Sequence, residues 1–233
     1  MVGKGKIHRI YTPSVQEIEK LVNIAVGAYR GLTAERVMLG GNEALGYLQF
    51  RSMIRASLLD GEVYVLENDA KDLVAFSIWF PPGKVLYGTP DQRSLGFEEF
   101  MEQLDDETRE WYDKTYNPAI NKWAPTWIPK PYPDCWWLAA LATDPVHQRK
   151  GYGTLLLKHA IQMIPASNVL GLVSTLEETV HRSFGRSFCS DHYIFIQARF
   201  YVHAGIPIQS RMDPDLPSKF GEIPFYGHYR EQL

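Results

Sequence analysis

The spacing of apolar positions switches repeatedly between the strand period and the helix period along the chain. Residues 7–11 predict a short strand, which a Thr-Pro-Ser turn ends. Apolar side chains then recur every three or four residues over 18–29, which predicts a helix. Ser14, followed three residues later by Glu17, is the sequence pattern of a capping box at its start. The chain therefore opens with a strand followed by an amphipathic helix.

The next predicted elements are a second helix and a hairpin. Helical spacing runs from Asn42 to Leu58 and is closed by an Asp-Gly pair. Residues 62–67 and 73–80 are rich in strand-forming side chains, and the polar stretch 68–72 connects them. This arrangement predicts a β-hairpin.

Residues 84–134 form a helical, Pro- and Trp-rich insertion. Apolar residues between Phe97 and Tyr112 fit one face of a single helix, and the opposite face is densely acidic. This acidic face either is simply solvated or attracts a cationic substrate. The stretch 118–133 then interleaves prolines with aromatic residues, which predicts an ordered but irregular loop. Such a loop is either functional or a plain cover for the sheet.

A buried strand and a helix follow, with a basic, glycine-containing turn between them. Residues Trp136 to Ala142 are continuously apolar, which predicts a strand buried on both faces. Residues 155–164 follow helical spacing until Pro165 stops the helix. Between them lies Gln-Arg-Lys-Gly-Tyr-Gly-Thr at 148–154.

The turn at 148–154 has the features of an anion site. The first amides of a helix have no partner within it, and the helix dipole adds positive potential there. Glycine at 151 and 153 removes side chains that would keep a phosphate away from the backbone. Arg149 and Lys150 add positive charge at the same helix end. The sequence therefore predicts a phosphate-binding turn.

This turn resembles the central signature of the GNAT superfamily of acetyl-CoA-dependent N-acetyltransferases, [QR]-x-x-G-x-[GA]. Gln148, Gly151 and Gly153 match it without gaps. A Walker loop is absent from the sequence, and Leu156 replaces the third glycine of a dinucleotide fingerprint. The longer stretch LAALATDPVHQRKGYGTLLL is similar to the branch that contains puromycin N-acetyltransferase and related small-molecule acetyltransferases.

The resemblance implies an α+β fold, with a mixed, largely antiparallel sheet between helices in three layers and a splay between strands 4 and 5. It also implies acetyl-CoA as cofactor. Backbone groups of Leu141, Ala142 and Thr143 would pair with its pantetheine arm. Amides of the turn would hold its pyrophosphate, at Arg149, Lys150, Gly151, Tyr152, Gly153 and Thr154.

Catalytic residues are less directly indicated. Residues 168–175 are expected to form the fifth strand, and in the family a helix after this strand carries a tyrosine that protonates the departing thiolate. Residues 198–206 resemble this helix, and Tyr201 is the tyrosine, with a core aromatic as the alternative. For the general base the sequence offers Asp134, beside the fourth strand, and Glu177 or Glu178 after the fifth. Each of these is equally an ordinary surface carboxylate.

The chain is expected to form one domain over residues 1–233, with an atypical insertion at about 180–197. This insertion is either a genuine loop or a translated intron whose removal would restore a connection of the usual length. Residues 206–212 and 223–229 are expected to finish the sheet as a strand pair.

Composition narrows the possible partners. The 233 residues are 45% hydrophobic, enough for a sizeable core, and 24 Lys+Arg against 27 Asp+Glu give a charge of −3. This charge argues against nucleic-acid or membrane-surface partners. The histidines form no metal-binding pattern, and Cys135 and Cys189 suggest no disulfide framework, so a reducing, cytoplasmic location is expected.

These observations predict an N-acetyltransferase that moves an acetyl group from acetyl-CoA to a primary amine of a small molecule, by direct attack in a ternary complex. We expect a monomer or homodimer. The alternative is a catalytically inactive acyl-CoA-binding or regulatory module of the same fold.

Overall fold

The structure is a computed structural model that describes residues 5–165, 167–175, 201 and 205–231. Within these residues a seven-stranded sheet runs in the order β1-β2-β3-β4-β5-β9-β6, and β7 pairs with β8 in a separate hairpin. The strands are β1 (Gly5–Ile10), β2 (Glu62–Asn68), β3 (Leu73–Phe80), β4 (Trp136–Thr143), β5 (Val169–Thr175), β6 (Ile208–Arg211), β7 (Leu216–Ser218), β8 (Gly221–Ile223) and β9 (Phe225–Glu231).

Helices cover both faces of this sheet. They are α1 (Val15–Tyr29), α2 (Thr33–Met38), α3 (Gly46–Asp60), α4 (Pro90–Ser94), α5 (Phe97–Gln103), α6 (Asp106–Trp111), α7 (Asn117–Trp123) and α8 (Tyr152–Met163). On one face α1 and α3 pack against β2, β3 and β4, and on the other α8 packs against the same strands. No helix within the described ranges is long and apolar enough to cross a membrane.

The pairing of the strands confirms the expected fold class. All neighbouring strands of the sheet are antiparallel except β4 and β5, which are parallel. The β4–β5 ladder joins only Trp136–Leu138 to Leu170–Leu172, and beyond it the two strands separate. The expected splay is therefore present. The predicted final strand pair is also present as β6 and β9, with the β7–β8 hairpin between them in the chain.

The start of α1 is built as the sequence predicts. Ser14 Oγ accepts the Glu17 N–H at 3.2 Å, and the Glu17 carboxylate accepts the Ser14 N–H at 2.7 Å. These reciprocal bonds are the capping box. The short helix α2, in contrast, was not predicted, because its six residues have too little periodicity and no side chain caps its start.

The insertion corrects two predictions. The single helix expected from Phe97 to Tyr112 is wrong, because the chain breaks between α5 and α6. Asp105 lies at the break, and its carboxylate accepts the Thr108 N–H at 2.9 Å, which starts a new helix. The stretch expected to be irregular contains α7, although prolines interrupt the segment that follows.

Half of the eight carboxylates on the acidic face pair with cations from this chain, within the residues that the structure describes. Lys219 Nζ lies 3.1 Å from Asp105 and 3.0 Å from Glu107. Asp106 pairs with Arg109, and Glu110 pairs with Lys114. These pairs favour the solvated face over the acidic wall for a cationic substrate.

The Trp-rich stretch is a cover for the sheet. Trp127 lies flat on Gly227 of β9, where a Cβ would come within 2.3 Å of the indole ring. Trp127, Ile128, Cys135 and Val169 form a buried cluster. The apolar side chains of this stretch are therefore explained by packing.

The expectation that β4 is buried on both faces is wrong for part of its length. Leu138, Ala140 and Ala142 are buried, whereas Trp136, Trp137, Ala139 and Leu141 are only half-buried. In the second half of β4 this exposure follows from the departure of β5 after three residues, because that half then borders the splay. The proposed insertion at 180–197, the carboxylates Glu177 and Glu178, and Cys189 lie outside the described residues.

Candidate active site

Only alternate backbone groups of β4 face the splay. The Asp144 N–H donates to the Val74 carbonyl of β3 at 2.9 Å, so the backbone groups of Asp144 and Ala142 point towards β3. Those of Leu141 and Thr143 therefore point the other way, into the gap. This corrects the expectation that three successive residues pair with a bound arm, because Ala142 already faces its strand neighbour.

A tyrosine hydroxyl from α1 meets the backbone of Leu141 in this gap. Tyr29 Oη donates to the Leu141 carbonyl at 3.3 Å and accepts the Leu141 N–H at 3.4 Å. Burial raises the pKa of Tyr29 to about 12, so the hydroxyl keeps its proton at neutral pH. This contact could not be predicted from the sequence, because Tyr29 fits the apolar pattern of α1 as a core residue would.

The motif glutamine fastens the turn to β4. Gln148 Nε2 donates to the Thr143 carbonyl at 3.1 Å. Thr143 thereby keeps its N–H directed at the splay while its carbonyl is bound. This contact gives a structural reason for a glutamine at the first position of the signature.

The start of α8 fits a diphosphate. Arg149 and Gly151 have φ of 62° and 85°, the left-handed conformation, and Gly151 is the N-cap without any side-chain cap among the described residues. The N–H groups at 152–154 precede the first intrahelical bond, from Leu155 to the Gly151 carbonyl, so they are left for a ligand. The Arg149 and Lys150 side chains are exposed at this end, and Lys150 Nζ contacts the Val146 carbonyl at 3.2 Å.

Tyr201 is buried next to a polar pair of β5 and β9. Its ring meets His228 edge-on, with centroids 5.6 Å apart. His228 Nδ1 donates to the Ile206 carbonyl at 3.3 Å, so its Nε2 accepts the Ser174 hydroxyl at 2.8 Å. Burial lowers the pKa of His228 to about 4.

The Tyr201 hydroxyl differs from the ordinary phenol that the sequence analysis assumed. Burial raises the pKa of Tyr201 well above 10. The hydroxyl therefore holds its proton more tightly than a free phenol. A proton donor at this position would act only on a strongly basic partner.

The structure does not bring Asp134 together with the splay. Asp134 is exposed, in a short 3₁₀ turn before β4, at the end where β4 and β5 are paired. Trp136 and Leu141 are five positions apart, which is roughly 17 Å of extended strand. A base acting at the open end of the splay therefore needs another residue.

A cavity of about 310 Å³ lies beside the C-terminal end of α1. Burial, and then the charge of Glu43, raise the pKa of Glu35 in its wall to about 8. The residues that line it include Val26, Arg30, Glu35, Leu39, Glu43 and Ala44. No cluster of metal-ligating side chains occurs in the described part of the chain.

Comparison with known proteins agrees with this geometry. Residues 119–183 match the model of the Acetyltransferase (GNAT) family. This segment contains β4, the glycine turn, α8 and β5, which together form the splay and the uncapped start of α8. The comparison with curated proteins gives no significant match.

Solved structures share the whole fold at low sequence identity. One of them, from Corynebacterium glutamicum, is described as "histone acetyltransferase HPA2 and related acetyltransferase". It superposes with a TM-score of 0.59 at 14% identity, and the match covers 98% of this chain and 97% of that one. PH1933 from Pyrococcus horikoshii gives a TM-score of 0.53 at 13% identity, and the match covers 99% of both chains. The ribosomal-protein-S18-alanine N-acetyltransferase from Escherichia coli gives a TM-score of 0.51 at 13% identity, and the match covers 98% of this chain and 94% of that one.

The family match covers the segment with the splay and the turn, and the structural matches extend the fold to the rest of the chain. The expected resemblance is thus confirmed. Residues 119–183 therefore match the GNAT acetyltransferase family, and the chain shares its fold with the solved structures compared above.

Proposed function

We propose that this protein transfers an acetyl group from acetyl-CoA to a primary amine of a small molecule. The observation that carries the proposal is the open edge of β4 next to the uncapped start of α8. Acetyl-CoA supplies the activated acetyl group as a thioester. The residues of this chain bind it, orient it and hold the protons that the reaction moves.

Each part of the proposed donor site has a distinct task. The N–H groups at 152–154 hold the diphosphate, and the exposed guanidinium of Arg149 and ammonium of Lys150 add positive charge. Leu141 and Thr143 offer backbone groups along the open edge of β4. At Leu141 the Tyr29 hydroxyl has to yield, because it makes both backbone contacts there.

We assign Tyr201 the role of proton donor. Its buried hydroxyl keeps a proton on Oη, because burial raises its pKa well above 10. The departing thiolate forms in the same buried surroundings, which raise the pKa of the thiol as they raise that of the phenol, so the sulfur can accept the Oη proton. The side chain lies against His228, which fixes the ring in place.

Direct attack by the amine is favoured over an acyl-cysteine step. Cys135, the cysteine within the described residues, is buried at the paired end of β4, and burial raises its pKa to about 11. Such a thiol is a poor nucleophile at neutral pH. The cavity beside α1, at about 310 Å³, has the size of a small-molecule site.

The proposal is tested by thiol release from acetyl-CoA with a panel of primary amines. We expect at least one amine to release CoA thiol in proportion to acetylated product, and Tyr201→Phe to slow this release. A protein that binds CoA by calorimetry, yet acetylates no amine, would support the alternative of an inactive CoA-binding module. We expect the active enzyme in the cytoplasm, as a monomer or homodimer.

A further inference from the structure

The cavity beside α1 contains a carboxyl group that no described residue binds. Glu35, on α2, is half-buried, and its side chain has no hydrogen bond or ion pair within the part of the chain that the structure describes. Its Oε1 lies against Gly46, where an added Cβ would come within 3.4 Å. A desolvated carboxyl without a partner is costly unless something else binds it.

The charged groups around Glu35 leave it unpaired. Glu43, exposed on the 3₁₀ turn at 43–45, lines the same cavity, and its charge adds to the burial that raises the pKa of Glu35. Arg30 and Arg36 are exposed at the rim, and the Arg36 guanidinium lies over the Phe220 ring at 5.6 Å. Neither arginine forms an ion pair with Glu35 in the described structure. The cavity is therefore lined by two acidic and two basic side chains, and no ion pair joins them within the described residues.

The same carboxyl lies close to the splay. Val26 and Arg30, which line the cavity, stand on either side of Tyr29 along the chain, and the charge of Glu35 adds to the burial that raises the pKa of the Tyr29 hydroxyl. Tyr29 in turn contacts Leu141 on the open edge of β4. The Tyr29 side chain thus lies between a group bound at Glu35 and the edge of β4 that is assigned to the acyl donor.

We propose that Glu35 is the catalytic base of this acetyltransferase and the residue that binds the acceptor amine. The carboxylate accepts a hydrogen bond from the substrate ammonium and takes one proton from it, which gives a neutral amine and a neutral carboxyl group. The carboxyl group then returns the proton to water through the open side of the cavity. This inference rests on the proposed function.

The cavity also defines the class of acceptor. Val26, Leu39 and Ala44 present apolar side chains to it, while Glu35 and Glu43 supply the only acidic groups among its lining residues. An amine with a short apolar body satisfies both parts of the wall. A bulky polar acceptor would leave the apolar surface exposed to water.

The ionisation of Glu35 suits a base that works at mildly alkaline pH. Burial and Glu43 raise its pKa to about 8, so only about a tenth of the molecules carry the carboxylate at pH 7, and a proton taken from an ammonium is held well. The carboxylate form increases as pH rises through this value. Activity is therefore expected to rise with pH over the same range.

The first test compares the pH profiles of kcat/KM for the wild type, Glu35→Gln and Glu43→Gln with one amine. At pH 8 we expect Glu35→Gln to lower kcat/KM about 100-fold, the low end of general-base effects. Its profile should lose the ionisation near pH 8, leaving only that of the amine. Glu43→Gln is the matched control. Loss of the Glu43 charge should lower the pKa of Glu35, so the rise of kcat/KM should move to lower pH. An unchanged profile for Glu35→Gln would overturn the assignment.

A second test needs no turnover and uses benzylamine as the probe, with benzyl alcohol as its uncharged counterpart. The NMR chemical shift of the Glu35 side-chain carboxyl carbon is measured as a function of pH. Its signal is assigned as the one that is missing from the spectrum of Glu35→Gln. We expect benzylamine to lower the pKa of this carboxyl, and Glu35→Gln to weaken benzylamine binding at least tenfold without weakening CoA binding. A titration that benzylamine leaves unchanged would reject Glu35 as the amine site. Failure of the proposed function would instead show as absent thiol release from the wild type.

Discussion

At Leu141, the Tyr29 hydroxyl makes both backbone contacts that a strand neighbour or a bound ligand would otherwise make. This arrangement satisfies a strand edge that the separation of β4 from β5 leaves open. The backbone groups of Leu141 are therefore already bound by this hydroxyl before a ligand arrives. Binding of the donor exchanges two weak hydrogen bonds for new ones.

Tyr29→Phe tests this exchange. Without the hydroxyl, Leu141 loses both contacts, and we expect the free energy of unfolding to fall by about 1–2 kcal/mol. CoA affinity should stay the same or rise by up to about tenfold, because nothing has to be displaced. Calorimetric titration with CoA measures this change. Tyr47→Phe, which removes a hydroxyl bound to Glu19, serves as control. Affinity weakened tenfold or more in Tyr29→Phe alone would contradict the account.

His228 should make stability depend on pH. Its pKa is about 4 in the folded protein and about 6.5 when unfolded, so only the unfolded state gains a proton between these values. The stabilisation is complete above pH 6.5 and is lost as pH falls towards 4. We expect the wild type to lose about 2–3 kcal/mol more than His228→Gln between pH 7.5 and 4.5. Urea unfolding at the two pH values measures this difference, and equal losses would refute it.

At the level of elements, local signals decided which predictions succeeded. The capping box at Ser14 and the glycine turn before α8 depend on residues close in sequence, and both are where they were predicted. The break between α5 and α6 was missed because the apolar spacing continues across it. A cap at Asp105 interrupts the backbone without interrupting the pattern.

The start of α8 provides the sharpest test at this scale. Gly151→Glu places a carboxylate where the diphosphate is expected, and we predict at least a 100-fold loss of CoA affinity in a folded protein. Gly83→Glu is the matched control, because Gly83 has the same φ of 85° and open space around its Cα. Both variants carry the same backbone strain. Equal losses of affinity would mean that strain, and not the anion site, explains the effect.

For the whole molecule, sequence and resemblance predicted the order of the elements and the splay, but not the cavity. The motif lies in one continuous segment, so it could be read directly. The acceptor side is assembled from α1, α2 and the turn at 43–45, and no linear pattern connects Glu35 with Leu141. Asp134, in contrast, is near β4 in sequence but at the wrong end of the strand in space.

The most direct test of the central claim is backbone hydrogen exchange measured with and without saturating CoA. We predict slower exchange at the amides of Leu141 and Thr143 and at residues 152–154, with no change along β1 at the far edge of the sheet. CoA binding that leaves these amides unchanged, while protecting another surface, would contradict the assignment of the splay and the α8 turn as the donor site.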